Sequence, residues 1–226
     1  MLGGQTVLVA SFAAPMFATN CWVIASGPGA ECVVIDPGMP DVSHQLSEIL
    51  DEFGLKPVAV IATHGHLDHT FSITPIADGY NIPAYIHSQD RAALIHPERC
   101  LSPEFAATLA GMEFVEPSDV RELRNGELLD LVGLSFRAIH APGHTAGSLM
   151  FEVSDEILIS GDVLFAGSIG RTDQPTGSAT DMEETLRKKL LPLPDHLRVL
   201  PGHGPETTIA HERKNNPYLK SIKGRY

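Results

Sequence analysis

The chain is short of cysteine, of basic charge and of long apolar runs. Its three cysteines, Cys21, Cys32 and Cys100, are too few and too scattered for a disulfide framework, and none forms a C-x-x-C pair. A reducing, cytoplasmic compartment is therefore expected. No stretch approaches the ~20 consecutive apolar residues that cross a bilayer. Met1 to Ala14 carries no Lys or Arg, the charge that opens a secretory signal. Sixteen Lys and Arg stand against 28 Asp and Glu, a formal charge of −12. Nucleic-acid and anionic-membrane partners call for the opposite sign, and the densest basic run, Arg187-Lys188-Lys189, reads as a solvated helix face. A small-molecule partner is the expectation. With 43% of its 226 residues hydrophobic and 19% charged, the chain has too much apolar surface to be disordered.

Short β-branched runs alternate with amphipathic stretches. Thr6–Ser11, Cys21–Ala25 and Cys32–Asp36 read as strands separated by turn signals such as Ser26-Gly27-Pro28-Gly29. Val42–Phe53 places Leu46, Ile49, Leu50 and Phe53 at helical spacing, and Gly54 ends it. Val58–Ala62 is a near-continuous apolar run, as expected of a strand buried on both faces. A helix to Gly79 and a strand at Ala84–His87 follow. Residues 88–118, with weak helical patterns at Gln89–His96 and Pro103–Ala110, read as a helical lid or a connecting helix pair. Strands return at Leu128–Leu131, Leu134–His140, Leu149–Val153, Ile157–Ser160 and Arg198–Leu200. Helices are expected at Asp181–Leu191 and at Glu206–Asn215, the latter ended by Pro217. Two similar halves with no linker suggest one α/β domain over residues 1–226.

Histidine is what the chain has in plenty: eleven, and their placement carries the chemistry. Thr63-His64-Gly65-His66-Leu67-Asp68-His69 follows directly on the buried strand and offers four metal-capable side chains within six residues. In an extended turn His64 and His66 point the same way, because side chains alternate with a period of two. Asp68 and His69 are then offered to a neighbouring point as the chain bends. Imidazole and carboxylate suit Zn²⁺, Fe²⁺ or Mn²⁺. Further candidates end later strands beside glycine: His144 in Pro142-Gly143-His144, Asp162 in Ser160-Gly161-Asp162, and His203 in Pro201-Gly202-His203-Gly204. Together these make seven ligands, enough for two metals and one shared carboxylate.

The set His64-x-His66-x-Asp68-His69 with His144, Asp162 and His203 resembles the metallo-β-lactamase superfamily over nearly the whole chain. That resemblance implies an αββα sandwich of two mixed sheets flanked by helices, with metals at one sheet edge. It implies His64, His66 and His144 on a first metal, Asp68, His69 and His203 on a second, and Asp162 between them. Two divalent ions are implied, zinc first, with iron or manganese as alternatives. A carboxylate stands where the commonest true β-lactamases place a cysteine. Gly167-Ser168-Ile169-Gly170-Arg171-Thr172-Asp173, Pro201-Gly202-His203-Gly204-Pro205 and Glu212-Arg213…Asn216-Pro217 look like the short glyoxalase II-like hydrolases.

The activity so implied is thioester hydrolysis of a small S-acyl thiol by a hydroxide shared between the metals, with Asp68 and Asp162 as the catalytic carboxylates. A mono-iron persulfide dioxygenase is the alternative, although those enzymes typically read Ala-His-Asp where this chain reads Gly-His-Gly. Another ester, a lactone or a phosphodiester remains open as substrate. Few basic residues (Arg213, Lys214, Lys220, Lys223, Arg225) close the chain where long glyoxalase II enzymes hold glutathione. Arg91, Arg99 and Arg171 are the candidate substrate contacts. Asp36, in Asp36-Pro37-Gly38, is read as a support beneath the metal loop or a plain turn, and His140 as a support or a strand end. His44, His87, His96, His196 and His211 are expected to be surface or packing residues.

Overall fold

Alternation along the strands decides which layer each side chain joins. In the computed structural model, which describes residues 7–223, the first sheet runs in spatial order β1 (Leu8–Ala13), β2 (Asn20–Ala25), β3 (Glu31–Ile35), β4 (Lys56–Ile61), β5 (Ala84–His87) and β6 (Val120–Leu123). The pairs β1–β2 and β2–β3 are antiparallel, whereas β3 to β6 run parallel. The second sheet holds β7 (Leu128–Leu131), β8 (Leu134–His140), β9 (Leu149–Val153) and β10 (Ile157–Gly161). After a small ribbon of β11 (Leu164–Phe165) and β12 (Ser168–Ile169), it is completed by β13 (Arg198–Pro201) and β14 (Thr207–Thr208). Within it β10 and β13 are parallel. Both sheets are thus mixed.

Three apolar clusters fill the three gaps between four layers. Val23, Val34 and Val60 face outward against Leu46 and Leu50 of helix Ser43–Phe53 and Ile73 and Ile76 of helix Ile73–Tyr80. Their neighbours Trp22, Ile24, Val33, Ile35 and Ile61 point the other way, into the gap between the sheets, and meet Phe136, Phe151, Ile159 and Leu200. Met150, Leu158 and Val199 face the last layer, packed on Met182, Leu186, Ile209 and Leu219. The result is helix, sheet, sheet, helix.

The differences from the sequence reading lie mostly at element ends. Thr6 lies outside the described residues, and the first strand runs on to Ala13. Strand β6 has no alternating signal because Arg121 and Glu122 are exposed on the sheet edge. Helix Ala179–Thr185 continues as a π-helical turn over Leu186–Leu190. Pro217 does not terminate the helical region. Asn216 breaks helix Ile209–Asn215 in extended conformation, its Oδ1 accepts from Tyr218 N at 3.0 Å, and Pro217 opens a second helix, Pro217–Lys223, where a missing N–H costs nothing. Segment 88–118 carries only short turns: helix Ser88–Arg91, two 3₁₀ turns at Ala92–Leu94 and Pro97–Cys100, and helix Pro103–Thr108. No helix among the described residues is long and apolar enough to cross a membrane.

Phe151 is fully buried in the gap between the sheets. Phe151→Ala is expected to cost about 3–5 kcal/mol, read as a lower midpoint in denaturant with unchanged metal stoichiometry.

Candidate metal centre

Strand ends from both sheets converge on one edge. Asp36 follows β3, Thr63 and His64 follow β4, Asp162 follows β10, and His203 follows β13. His66 is extended and caps the turn Leu67–Thr70, so Asp68 and His69 ride on that turn. Cross-links hold the edge: Asn20 N donates to Gly202 O at 2.7 Å, Leu149 N to Thr63 O at 2.7 Å, and Trp22 Nε1 to Pro201 O at 3.0 Å. Gly202 is required by proximity, since a Cβ there would lie 2.1 Å from Asp162 Oδ1.

All seven candidates meet there. One donor atom each from His64, His66 and His144 lies within 4.8 Å of the other two, and the same holds for Asp68, His69 and His203. His64 Nε2 is 3.1 Å from His66 Nδ1, and His69 Nε2 is 3.2 Å from His203 Nε2. Asp162 stands between the groups. Its Oδ1 is 3.4 Å from His69 Nε2, and its Oδ2 is 3.4 Å from His144 Nε2 and 3.5 Å from His203 Nε2. Asp68 Oδ2 lies 3.3 Å from His203 Nε2 and accepts from Thr19 Oγ1 at 3.0 Å.

The outer ring nitrogens fix which way the lone pairs face. His69 Nδ1 donates to Asp36 Oδ2 at 2.9 Å, His144 Nδ1 to Arg171 O at 2.7 Å, and His203 Nδ1 to Phe17 O at 3.1 Å. His64 Nδ1 lies 3.0 Å from Thr63 Oγ1, whose own proton goes to Asp36 Oδ2 at 2.6 Å. With Nδ1 so committed, the Nε2 of these four rings is the atom turned inward, able to coordinate once no proton sits on it. Buried His66 Nε2, His144 Nε2 and Asp162 Oδ1 have no hydrogen-bond partner among the described residues. Where no proton lies between them, as between neutral His64 and His66, lone pair faces lone pair, and a divalent cation is what such a cluster fits. The donors present therefore suit a metal.

Protonation follows burial and neighbours. Burial, with His69 and His144 close by, holds His64 well below its ordinary value, and burial beside His144 takes His66 down to about 3. Both are neutral at pH 7, as ligands must be. Burial opposes charge on His69, but Asp162, Asp68 and Asp36 surround it and push it up to about 10. Burial likewise opposes charge on Asp68, yet His69 and His203 hold its carboxyl far below the usual range.

Asp36 is a hub, more than a turn residue. It is buried at a positive φ of 48°, and besides Thr63 Oγ1 and His69 it accepts from Thr63 N at 2.8 Å. His140 donates to or accepts nothing at the centre; its Nε2 meets Ala146 O at 2.8 Å and its ring stacks on His87 at 4.1 Å. Arg171 contributes its carbonyl to His144, while its exposed guanidinium pairs with Asp173 through two contacts of 2.7 Å. Arg91 lies elsewhere, bound to Glu116 and Glu122 at 3.0–3.1 Å, and neither it nor Arg99 is among the cavity's lining residues. Glu212, fully buried, accepts from Gly167 N, Thr207 Oγ1 and Asn216 Nδ2, tying the last helices to the β11–β12 ribbon that leads to Arg171. Asp90 has no counterpart among the sequence-stated candidates. Gly65, between His64 and His66, and Gly147, three residues after His144, are the signal it leaves.

The centre opens into a cavity of about 380 Å³. Phe17, Met39, Leu67, Leu101 and Phe105 form apolar walls, and Phe17 meets Phe105 edge to face at 5.7 Å. Cys100 also lines it, with its thiol pushed up to about 11 by burial.

The family model of the metallo-beta-lactamase superfamily matches residues 14–203, which span every one of these donors. The chain belongs to the metallo-β-lactamase superfamily. An uncharacterized Mycobacterium tuberculosis protein, Rv2581c, is 43% identical over 223 residues, covering 96% of this chain and 99% of the relative. The hydroxyacylglutathione hydrolase GloC of Haemophilus influenzae is 33% identical over 211 residues, covering 91% and 94%. Among solved structures, the BLEG-1 B3 metallo-β-lactamase superposes with a TM-score of 0.81 at 32% identity, covering 94% of this chain and 99% of that one. TTHA1623, crystallised in a di-iron-bound form, gives 0.75 at 31% identity, covering 94% and 100%.

Ligand variants separate the two groups. His66→Ala is expected to lose one equivalent of metal and His203→Ala the other, whereas Asp162→Ala weakens both, because its carboxylate offsets repulsion between two cations. Elemental analysis after loading reads this; selective loss of the same single equivalent in all three variants contradicts a shared carboxylate.

Proposed function

We propose that this protein is a metal-dependent hydrolase that cleaves thioesters of a small thiol. The observation that carries the reading is the inward convergence of two carboxylates and five imidazoles on the floor of the cavity. His64, His66 and His144 would hold one cation, Asp68, His69 and His203 a second, with Asp162 offered to both. When bound, such cations bring the pKa of water towards ~7 and polarise the carbonyl under attack.

The chain's own groups do the rest. Asp36, Phe17 O and Arg171 O each take the outer proton of one ligand histidine, and so hold its lone pair on the centre. Asp68 stays ionised and acts as an acceptor, not as a proton donor. Leu67, Leu101, Phe105 and Phe17 keep water from the acyl group, with part of segment 88–118 acting as a wall over the site. Cys100 stays protonated at neutral pH and is not a nucleophile. The name of the Haemophilus relative supports a thioester. The di-iron form of TTHA1623 supports iron beside zinc as the metal.

The walls also bear on the thiol carrier. Arg171 is the only Lys or Arg among the described lining residues, and Asp173 already occupies it. An uncharged carrier suits this cavity better than glutathione, which brings two carboxylates. β-Lactam cleavage is a second reading, favoured by the likeness to the BLEG-1 structure.

The test is metal-loaded protein against thioesters of fixed acyl group on glutathione and on N-acetylcysteamine, with a β-lactam in parallel. Cleavage of the N-acetylcysteamine ester with kcat/KM at least equal to that of the glutathione ester is expected, with full loss in chelator. Turnover of the glutathione ester alone refutes the carrier assignment. Turnover of the β-lactam and of neither thioester refutes the thioesterase reading.

A further inference from the structure

The two loops that carry the first donor group come from different sheets: His64 and His66 follow β4, and His144 follows β8. One buried side chain joins them. Asp90, 2% exposed, sits in the helical turn Ser88–Arg91 that opens segment 88–118. Its Oδ2 accepts from Gly65 N at 2.8 Å and from Thr145 Oγ1 at 2.6 Å, and its Oδ1 accepts from Gly147 N at 2.8 Å. Gly65 lies between His64 and His66, and Thr145 directly follows His144. At Gly147 a Cβ would come within 2.5 Å of the carboxylate, so both loops close tightly upon it.

Three donors converge on two oxygens that have no contact with the metal ligands' own donor atoms. Burying an ion is costly unless its lone pairs are used, and here two backbone amides and a hydroxyl use them. We propose that Asp90 is the positioning residue of the first metal group: by clamping the backbone at Gly65 and Gly147 and the hydroxyl of Thr145 it sets the separation of His64, His66 and His144. Second-group ligands are oriented through Asp36 and Phe17 instead, so the effect of Asp90 is confined to one of two sites. Because the same segment supplies Leu101, Ser102 and Phe105 to the cavity, Asp90 also ties the substrate wall to the metal floor. This inference rests on the metal reading of the centre and is independent of the thioester substrate.

Asp90→Asn keeps the volume but turns an amide NH₂ towards donors, so at least one of the three bonds is lost. The full chain is stripped with chelator, then titrated with Co²⁺, following stoichiometry, affinity and the electronic spectrum; thermal unfolding is measured alongside. The expected result is one equivalent bound as in wild type and the other weakened roughly 10-fold or more. The spectrum of the remaining metal should match that of His66→Ala, not that of His203→Ala. Thr145→Val, which removes one of the three bonds to Asp90 together with the contact to Ser148 Oγ, should give the same selective loss to a smaller extent. Leu190→Ala, a buried position in the outer helical layer, lowers the melting temperature without changing either site, and so reports what mere destabilisation does.

Wild-type affinity at both sites in Asp90→Asn overturns the proposal. So does parallel loss of both metals in step with stability, or an unchanged first site in Thr145→Val beside an unfolded Asp90→Asn. Wild-type protein that binds no Co²⁺ overturns the metal reading itself and this inference with it.

Discussion

The crowding of seven imidazole and carboxylate donors at one edge is the constraint around which this molecule is built. Left in water, the donors of His64, His66, His69, His144, His203, Asp68 and Asp162 would separate and hydrate. Here the fold holds them 3–4 Å apart at the meeting edge of two sheets. Such crowding is tolerable because the outer nitrogens of four of the five histidines are tied to acceptors in the scaffold and because a divalent cation fits among the donors. The cores on either side of both sheets supply the rigidity.

Two buried carboxylates distribute that rigidity. Asp36 reaches from the end of β3 to Thr63 and His69, and Asp90 reaches from the start of segment 88–118 to the loops of His64 and His144. Neither coordinates in the arrangement seen here, since their oxygens are committed to donors. Their acidity is part of the excess that sets the formal charge at −12, so that excess is in part internal architecture and not an empty surface field.

How much was legible in the sequence follows from the range of each interaction. Strands β7 to β10 have sharp alternation or uniform apolarity between turn residues, and their limits read almost residue for residue. The histidine cluster was legible because a loop has no packing reason to repeat imidazole. Strand β6 and helix Pro217–Lys223 were not, because their existence depends on a sheet edge and on a break at Asn216. Asp90 gave no local pattern at all; its partners are 25, 55 and 57 residues away. Arg91, one residue on, looked like a substrate contact by composition, but Glu116 and Glu122 lie within reach and the fold spends its charge there.

The pairing of β2 with the His203 loop has a consequence for how the centre comes into being. Thr19 bridges His203 across the sheet gap, and Asn20 N meets Gly202 O. The three histidines of the first donor group lie within residues 64–144, with Arg171 O and Asp162 supporting them from further on, whereas the second group is complete only when the chain has reached His203 and folded back towards Thr19 and Asn20. Closing a loop of that span carries an entropic cost that grows slowly with length but must be met before the contact returns anything. During synthesis, then, the three histidines of one group leave the ribosome well before the last donor of the other. The last donor doubles as the latch by which the two ends of the sandwich find their register.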